Sequence, residues 1–230
     1  MRIKGFQGTS LLDFPGRLSS LVFTGGCNLS CGFCHNPGLV LEPDQYPDYP
    51  IDELLDELQQ RKSFIDGIVV SGGEPTLAEG LEAFLEQVRA IGLQVKLDSN
   101  GLRPEVLTRL LERQLIDYLA IDFKTAPSRY AELHHQTVNT AALLASCRLT
   151  IERAPEYEFR TTCVPGLVSE DELLEMGRVI EGARRWVLQQ YVPREKMLGN
   201  APQQAYPIEE FTRLQQVAIP FVGQVEGRGW

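Results

Sequence analysis

The sequence predicts an α/β fold of the incomplete (β/α)6 TIM-like barrel type, with parallel strands and one open side. Three observations predict it. Strand-like runs and segments of helical periodicity alternate about six times along 230 residues. Strand–helix–strand connections are right-handed, which curls such a sheet toward a barrel, and six units are fewer than the eight that close one. The chemically unusual residues follow the strands, where active sites of parallel folds lie. A flat doubly wound sheet is the alternative.

The elements follow in order. Residues 1–17 form an N-terminal lead. Leu18–Thr24 is a β-rich run ending in Gly25-Gly26-Cys27. Ile51–Gln60 places Ile51, Leu54, Leu55 and Leu58 at helical spacing. Ile65–Val70 is an apolar strand ending in Ser71-Gly72-Gly73, and Leu81, Phe84, Leu85 and Val88 mark the next helix. Gln94–Leu97 leads into Asp98-Ser99-Asn100-Gly101, whose Asn-Gly signals a turn. Pro104–Gln114 reads as a helix opened by proline. Tyr118–Phe123 and Glu158–Val164 are strands, the second closed by Pro165-Gly166. Ser169 and Glu172 form a capping box for a helix reaching about Gly182. Val187–Tyr191 is the sixth strand, and Ile208, Phe211 and Leu214 suggest a last helix. No linker or repeat interrupts this, so residues 1–230 read as one domain: lead 1–17, core 18–200, and C-terminal helix and tail 201–230.

Composition narrows the class. With 43% hydrophobic and 23% charged residues, the chain is neither disordered nor fibrous. No run reaches the roughly 18 apolar residues of a membrane span. A net charge of −9 speaks against nucleic-acid binding, which needs a basic surface. The first residues carry no apolar secretory core, so a cytoplasmic location with reduced thiols is expected. Five cysteines, an odd number, argue against a full disulfide framework.

Three of the five cluster. Cys27, Cys31 and Cys34 follow a C-x3-C-x2-C pattern, and a segment looping around one metal centre could present all three. A structural zinc wants four ligands, as does an electron-carrying iron–sulfur centre. One reading is a half zinc site completed by distant Cys147 or Cys163. The favoured one is a cluster with one iron left open, where a substrate or cofactor binds. His35 is adjacent to Cys34 and awkward as a fourth ligand.

The other strand ends carry matching equipment. Gly72-Gly73-Glu74-Pro75 follows the second strand, and two glycines let backbone approach a ligand closely. Asp98-Ser99-Asn100 follows the third. Asp122 and Lys124 are two apart at the end of the fourth, so both side chains share one face and could hold a zwitterion. A solvated rim pair of little consequence is the alternative. Asp98 adds a second carboxylate, and two carboxylates at one rim share a proton or bind a cation.

These residues carry a resemblance. Cys27-x3-Cys31-x2-Cys34, with aromatic Phe33 before the last cysteine, resembles the cluster loop of the radical S-adenosylmethionine enzymes. Gly72-Gly73-Glu74-Pro75 resembles their second motif. The likeness runs end to end and is nearest to the activating enzymes of glycyl radical enzymes, in particular those of anaerobic ribonucleoside-triphosphate reductase. Ser10–Gly16, Phe23–Cys27 through His35-Asn36-Pro37, and Asp98–Gly101 carry it.

The resemblance implies a radical enzyme of the (β/α)6 type with one [4Fe–4S] cluster on Cys27, Cys31 and Cys34. S-adenosylmethionine would chelate the open iron. Phe33, Gly72, Gly73, Glu74, Asp98, Asp122 and Lys124 would line that cofactor. Asp122 and Lys124 match a D-x-K pair that holds cofactor in pyruvate formate-lyase activating enzyme. Asp98, Ser99 and Asp122 match positions that bind a monovalent cation there. That enzyme has a cofactor-contacting histidine after its sixth strand, and Tyr191–Met197 here contains none. The implied activity is one-electron cleavage of S-adenosylmethionine. The 5′-deoxyadenosyl radical then takes a Cα hydrogen from a glycine of a partner glycyl radical enzyme. A flavodoxin or ferredoxin would supply the electron. The competing readings are a radical enzyme acting on a small molecule, similar to the 7-carboxy-7-deazaguanine synthases, and a non-catalytic zinc or electron-carrier module.

The remaining candidates read as structural. Cys147, in a helical apolar context, and Cys163, in a strand, are expected in the core. His134 and His135 read as surface residues, and His35 as a neighbour of the cluster. Arg184, Arg185, Arg194 and Lys196 lie near the sixth strand, either solvated or helping to dock a protein partner.

Overall fold

The computed structural model describes residues 1–134, 137–194, 197–199 and 201–229. His135 and Lys196 lie outside them. The strand order is the chain order, β1 to β8. The chain divides into two compact units. The first comprises Met1–Asn28, Gly38–Ser99 and Glu105–Leu119, and the second Leu29–Pro37, Asn100–Pro104 and Ala120–Trp230.

In the first unit, β2 (Ser19–Thr24) lies parallel to β3 (Gly67–Gly72), from Ser19↔Gly67 to Thr24↔Gly72. β3 in turn pairs in parallel with β4 (Gln94–Ser99). Ile68, Val69 and Val70 are fully buried, so this strand reads as an unbroken apolar run, as a parallel strand covered on both faces must. Helix α1 spans Pro37–Leu41 and α2 Ile51–Arg61. Helix α3 (Leu81–Ile91) buries the four residues its periodicity singles out, Leu81, Phe84, Leu85 and Val88. It stops at Gly92, whose left-handed φ of 94° lets its N–H reach the Arg89 carbonyl. Helix α4 spans Pro104–Glu112. A cluster of Phe14, Leu21, Val69 and Tyr118 forms part of the core, with the Arg17 guanidinium 4.6 Å from the Phe14 ring centroid.

The N-terminal lead contains an unexpected strand. β1 (Ile3–Ser10) pairs antiparallel with β2 from Ile3↔Thr24 to Ser10↔Ser19, with two irregularities. Gly5, Gly8, Lys4 and Gln7 dilute its apolar pattern. Pairing to β2 makes the strand, not propensity.

Strand β5 (Tyr118–Asp122) begins in the first unit and ends in the second. In the second unit, β6 (Glu156–Cys163) and β7 (Trp186–Gln190) are parallel, Phe159↔Trp186 to Cys163↔Gln190. β7 and β8 (Val225–Arg228) are parallel too, Trp186↔Val225 to Gln189↔Arg228. β8 lies in the segment read as a tail, since four residues with one apolar side chain carry no period. Helix α5 spans Thr140–Arg153, and its N-cap Asn139 accepts from the Ala142 amide. Helix α6 (Glu170–Val179) opens with the capping box of Ser169 and Glu172. Helix α7 (Ile208–Ala218) buries Phe211, Leu214 and Ala218. Cys147 and Cys163 are fully buried, as expected, and burial pushes each thiol up to about 12.

Arg228 secures β8. It reaches Glu158 Oε2 at 3.1 Å and Glu226 Oε1 at 2.6 Å, and Glu158 is completely buried. Replacing Arg228 by methionine strips a buried carboxylate of this cation. An equilibrium urea titration should show unfolding free energy reduced by about 2 kcal/mol.

The basic set near β7 is divided. The Arg184 guanidinium sits 5.4 Å from the Tyr157 ring centroid, and Arg185 pairs with Glu226 at 2.9 Å. Both precede β7, whereas Arg194 follows its far end. Five strand residues span ~16 Å, so these arginines do not form one patch. Among the described residues, no helix is long and apolar enough to cross a membrane.

Candidate active site

In the first unit, the loops after β2 and β3 are stitched together through their backbones. The Gly73 N–H donates to Thr24 O at 2.9 Å, and the Glu74 N–H to Gly26 O at 2.8 Å. Gly72 has φ 118°, and a Cβ there would stand 2.3 Å from Thr24 N. A Cβ on Gly73 would stand 1.8 Å from Gly26 O. The two glycines thus permit an approach between protein loops, and they lock the backbone that leads into Cys27. Gly26 is held from the other side, its N–H donating to Leu39 O at 2.7 Å.

Glu74 is 1% exposed. Its Oε1 accepts from Thr76 N at 3.1 Å, Thr76 Oγ1 at 2.5 Å and Ser99 Oγ at 2.8 Å. The side chain therefore ties the end of β3 to the end of β4. Asp98 pairs with Lys96 Nζ, and both are buried. The Lys96 ammonium also lies 5.8 Å from the Tyr118 ring centroid. Lys96 was not singled out from the sequence, yet it is two residues from Asp98 on one strand, the same arithmetic that relates Asp122 to Lys124.

In the second unit, the Cys34 N–H donates to Cys31 O at 3.0 Å, so the second half of the cysteine motif is a tight turn. Leu29 and Phe33 anchor it in the core. A 3₁₀ segment, Pro127–Leu133, runs against the turn: Ser30 N–H donates to Leu133 O at 2.9 Å. Ser30 Oγ lies 3.1 Å from His134 Nδ1. His134 is thus half-buried with a partner on the cysteine loop, where the sequence suggested a surface residue. From the other side, Gly199 N–H donates to Gly32 O at 3.3 Å.

Asp122 and Lys124 meet, as their spacing predicts, at 3.4 Å. The backbone reaches this by a turn rather than a continued strand. The Phe123 N–H folds back to Ile121 O at 3.0 Å. Phe123 O accepts from Thr161 Oγ1 at 2.7 Å, and the Lys124 N–H donates to Tyr130 Oη at 3.0 Å. These buried side chains replace the ladder bonds that the turn gives up. Arg160, missed in the sequence, adds a cation: its Nη2 stands 2.8 Å from Asp122 Oδ1. Its signal was a lone arginine within a strand of aromatic, threonine and cysteine residues. Asp122 thus meets two cations, Lys124 and Arg160.

The surroundings bear on the thiols. Burial pushes the Cys31 thiol up, Lys124 opposes it, and Cys34 and Asp122 reinforce it. Partial burial, then Arg194 and Lys124, hold the His35 imidazole below its ordinary value. Among the described residues, no three His, Cys, Asp or Glu side chains group around one metal position. What fits an iron–sulfur cluster is the donor chemistry: soft thiols, two of them on a tight turn, with a metal's charge to favour the Cys31 thiolate that burial opposes.

The model of the Radical SAM superfamily matches residues 21–177. The chain belongs to that superfamily. The family implies one [4Fe–4S] cluster and S-adenosylmethionine, and it is a family of enzymes. A Methanocaldococcus jannaschii protein provisionally named a glycyl-radical enzyme activating enzyme is 29% identical over 231 residues, covering 97% of this chain and 94% of that one. The pyruvate formate-lyase-activating enzyme of Staphylococcus aureus is 29% identical over 190 residues, covering 76% of this chain and 73% of its own. Among solved structures, Streptococcus suis SuiB bound to S-adenosylmethionine superposes with a TM-score of 0.69 at 15% identity over 91% of this chain. This radical SAM chain spans about half of SuiB's length. TYW1 with a lysine-pyruvate adduct bound gives 0.61 at 14% identity, covering 87% of this chain and 72% of its own. The fold class expected from the sequence, an incomplete TIM-like barrel of mostly parallel strands, is the one these likenesses show.

Proposed function

We propose that this radical SAM chain activates a glycyl radical enzyme, with anaerobic ribonucleoside-triphosphate reductase as the substrate protein. One observation carries the activase reading: the likeness to the M. jannaschii activating enzyme extends over 97% of this chain. On this reading residues 1–230 work as one domain in the cytoplasm, with a flavodoxin or ferredoxin as electron donor. Cys27, Cys31 and Cys34 hold the cluster, and Phe33, Gly72, Gly73, Glu74, Asp98, Asp122 and Lys124 serve the cofactor.

Held by Cys27, Cys31 and Cys34, the cluster would supply one electron for cleavage of S-adenosylmethionine, chemistry directed at a glycine Cα hydrogen of the partner. The protein's own residues bind and orient. Lys124 and Arg160 favour the cofactor's carboxylate, and Asp122 its ammonium. Gly72 and Gly73 act indirectly, by fixing the backbone that presents Cys27, while Glu74 braces the ends of β3 and β4. Lys96 already neutralises Asp98, so the reading needs no monovalent cation.

Anaerobic reconstitution with iron and sulfide, followed by dithionite and S-adenosylmethionine, should release 5′-deoxyadenosine and methionine, measured by liquid chromatography. A reconstituted protein that forms neither contradicts the proposal. A protein that turns over a small molecule in stoichiometric amounts without any partner would favour the 7-carboxy-7-deazaguanine synthase-like reading.

A further inference from the structure

Strand β4 carries a lysine buried among apolar side chains. Lys96 is 0% exposed. Register sets it beside Val69 of β3, and Val69 packs with Phe14, Leu21 and Tyr118. An ammonium in such surroundings needs a counter-charge. Lys96 and Asp98 are two apart on β4, so their side chains share a face, and Nζ pairs with Asp98 Oδ1. The Tyr118 ring centroid, 5.8 Å away, offers the ammonium the face of a π system as well.

The resemblance to pyruvate formate-lyase activating enzyme implies a monovalent cation on Asp98, Ser99 and Asp122. The three residues do not fit that role here. Asp98 already has the Lys96 ammonium. Ser99 follows Asp98 directly, and strand alternation sends its side chain to the opposite face. Its Oγ donates to Glu74 Oε1 at 2.8 Å. Asp122, in the second unit, stands 2.8 Å from Arg160 Nη2 and 3.4 Å from Lys124 Nζ. A metal ion there would bring a third positive charge to one carboxylate.

We infer that Lys96 is the built-in cation of β4: its ammonium counters the Asp98 carboxylate and fixes its direction at the carboxyl end of the strand, so this chain handles its cofactor without alkali ions. A tethered cation suits the task. The strand that carries the carboxylate also carries Nζ, so little freedom is lost on pairing, whereas a dissolved ion must be captured and dehydrated. Lys96 is thus a positioning residue, acting on the cofactor through Asp98. The catalytic consequence rests on the cofactor site proposed above, while the charge pairing stands on β4 alone.

The test compares tetramethylammonium, potassium and methylammonium chloride at one ionic strength, first on the unreconstituted full chain. In tetramethylammonium chloride, Lys96→Ala should lower the urea midpoint by about 1 M, because it leaves a buried carboxylate uncompensated. Exchange into potassium or methylammonium should recover about half of that loss, as an ion enters the space the side chain left. The wild type should gain nothing from the exchange, and neither should Lys96→Met, which lacks the charge but fills the space. In the reconstituted wild type, the S-adenosylmethionine concentration for half-maximal 5′-deoxyadenosine formation should be the same in each salt. For Lys96→Ala it should rise about tenfold in tetramethylammonium and fall again in potassium. A wild-type midpoint or cleavage rate that rises with potassium overturns the inference and returns Asp98 to a metal ion. So does a folded Lys96→Ala protein indifferent to both cations. Should Lys96→Ala not fold, the wild-type comparison decides by itself. A wild type that forms no 5′-deoxyadenosine in any salt contradicts the radical reading and leaves the urea comparison standing.

Discussion

Replacing Cys31 by alanine should abolish both the broad iron–sulfur absorbance after reconstitution and all 5′-deoxyadenosine formation, leaving a folded chain. The expectation combines two facts. Cys31 is one of three thiols in the C-x3-C-x2-C pattern, and it is buried at the turn its carbonyl makes with the Cys34 amide. Two remaining thiols cannot supply the three protein ligands that leave a single iron open. Alanine is smaller and apolar at a buried position, and the turn's hydrogen bond is made by backbone, so the fold should survive. Iron and sulfide analysis of the reconstituted protein reads the first part directly. Wild-type iron content with wild-type cleavage would defeat the ligand assignment. The same substitution at Cys147 should leave cluster content unchanged, because that thiol is fully buried in α5 with its ionisation pushed up to about 12.

The second large effect is expected at Gly73. A Cβ there would lie 1.8 Å from Gly26 O, and the Gly26 carbonyl is the acceptor for the Glu74 amide at 2.8 Å. No flexible side chain can yield, since both groups are backbone. Gly73→Ala must therefore part the loops after β2 and β3, costing about 2–3 kcal/mol in overpacking and lost hydrogen bonding. A urea titration of the unreconstituted protein reads this cost. The displaced loop ends in Cys27, so cluster assembly should fail as well. A Gly73→Ala protein of wild-type stability would show that the two loops separate freely. By contrast, Gly92→Ala should be tolerated sterically, with no atom within 4 Å of the added carbon. Its cost would come from the left-handed φ of 94° alone.

The legible part of the molecule is the part governed by local rules. The buried face of α3 and the Ser169–Glu172 capping box follow from side-chain period and local hydrogen bonding, and both appear as expected. Asp122 and Lys124 meet as their spacing suggested, but through the turn at Phe123 and not through the shared face of an extended strand. What the sequence hid depends on distant partners. β1 and β8 exist through pairing to β2 and β7, and neither has an apolar period of its own. Arg160 reaches Asp122 across 38 positions of chain, and Tyr130 supplies the acceptor for the Lys124 amide. His134 looked solvated because its partner, Ser30, lies 104 positions away. Gly72 and Gly73 were recognisable as close-approach glycines, yet only the fold shows that they admit the neighbouring loop's backbone.

The proposed activity places a radical on a glycine of another protein. The most direct measurement is electron paramagnetic resonance of the reconstituted protein with dithionite, S-adenosylmethionine and the anaerobic reductase, mixed without oxygen. A doublet near the free-electron g value is expected, carried by the reductase after the two proteins are separated, collapsing to a singlet when the reductase is made with glycine deuterated at Cα. Abundant 5′-deoxyadenosine with no such signal on the reductase, or a signal indifferent to deuteration, would contradict it.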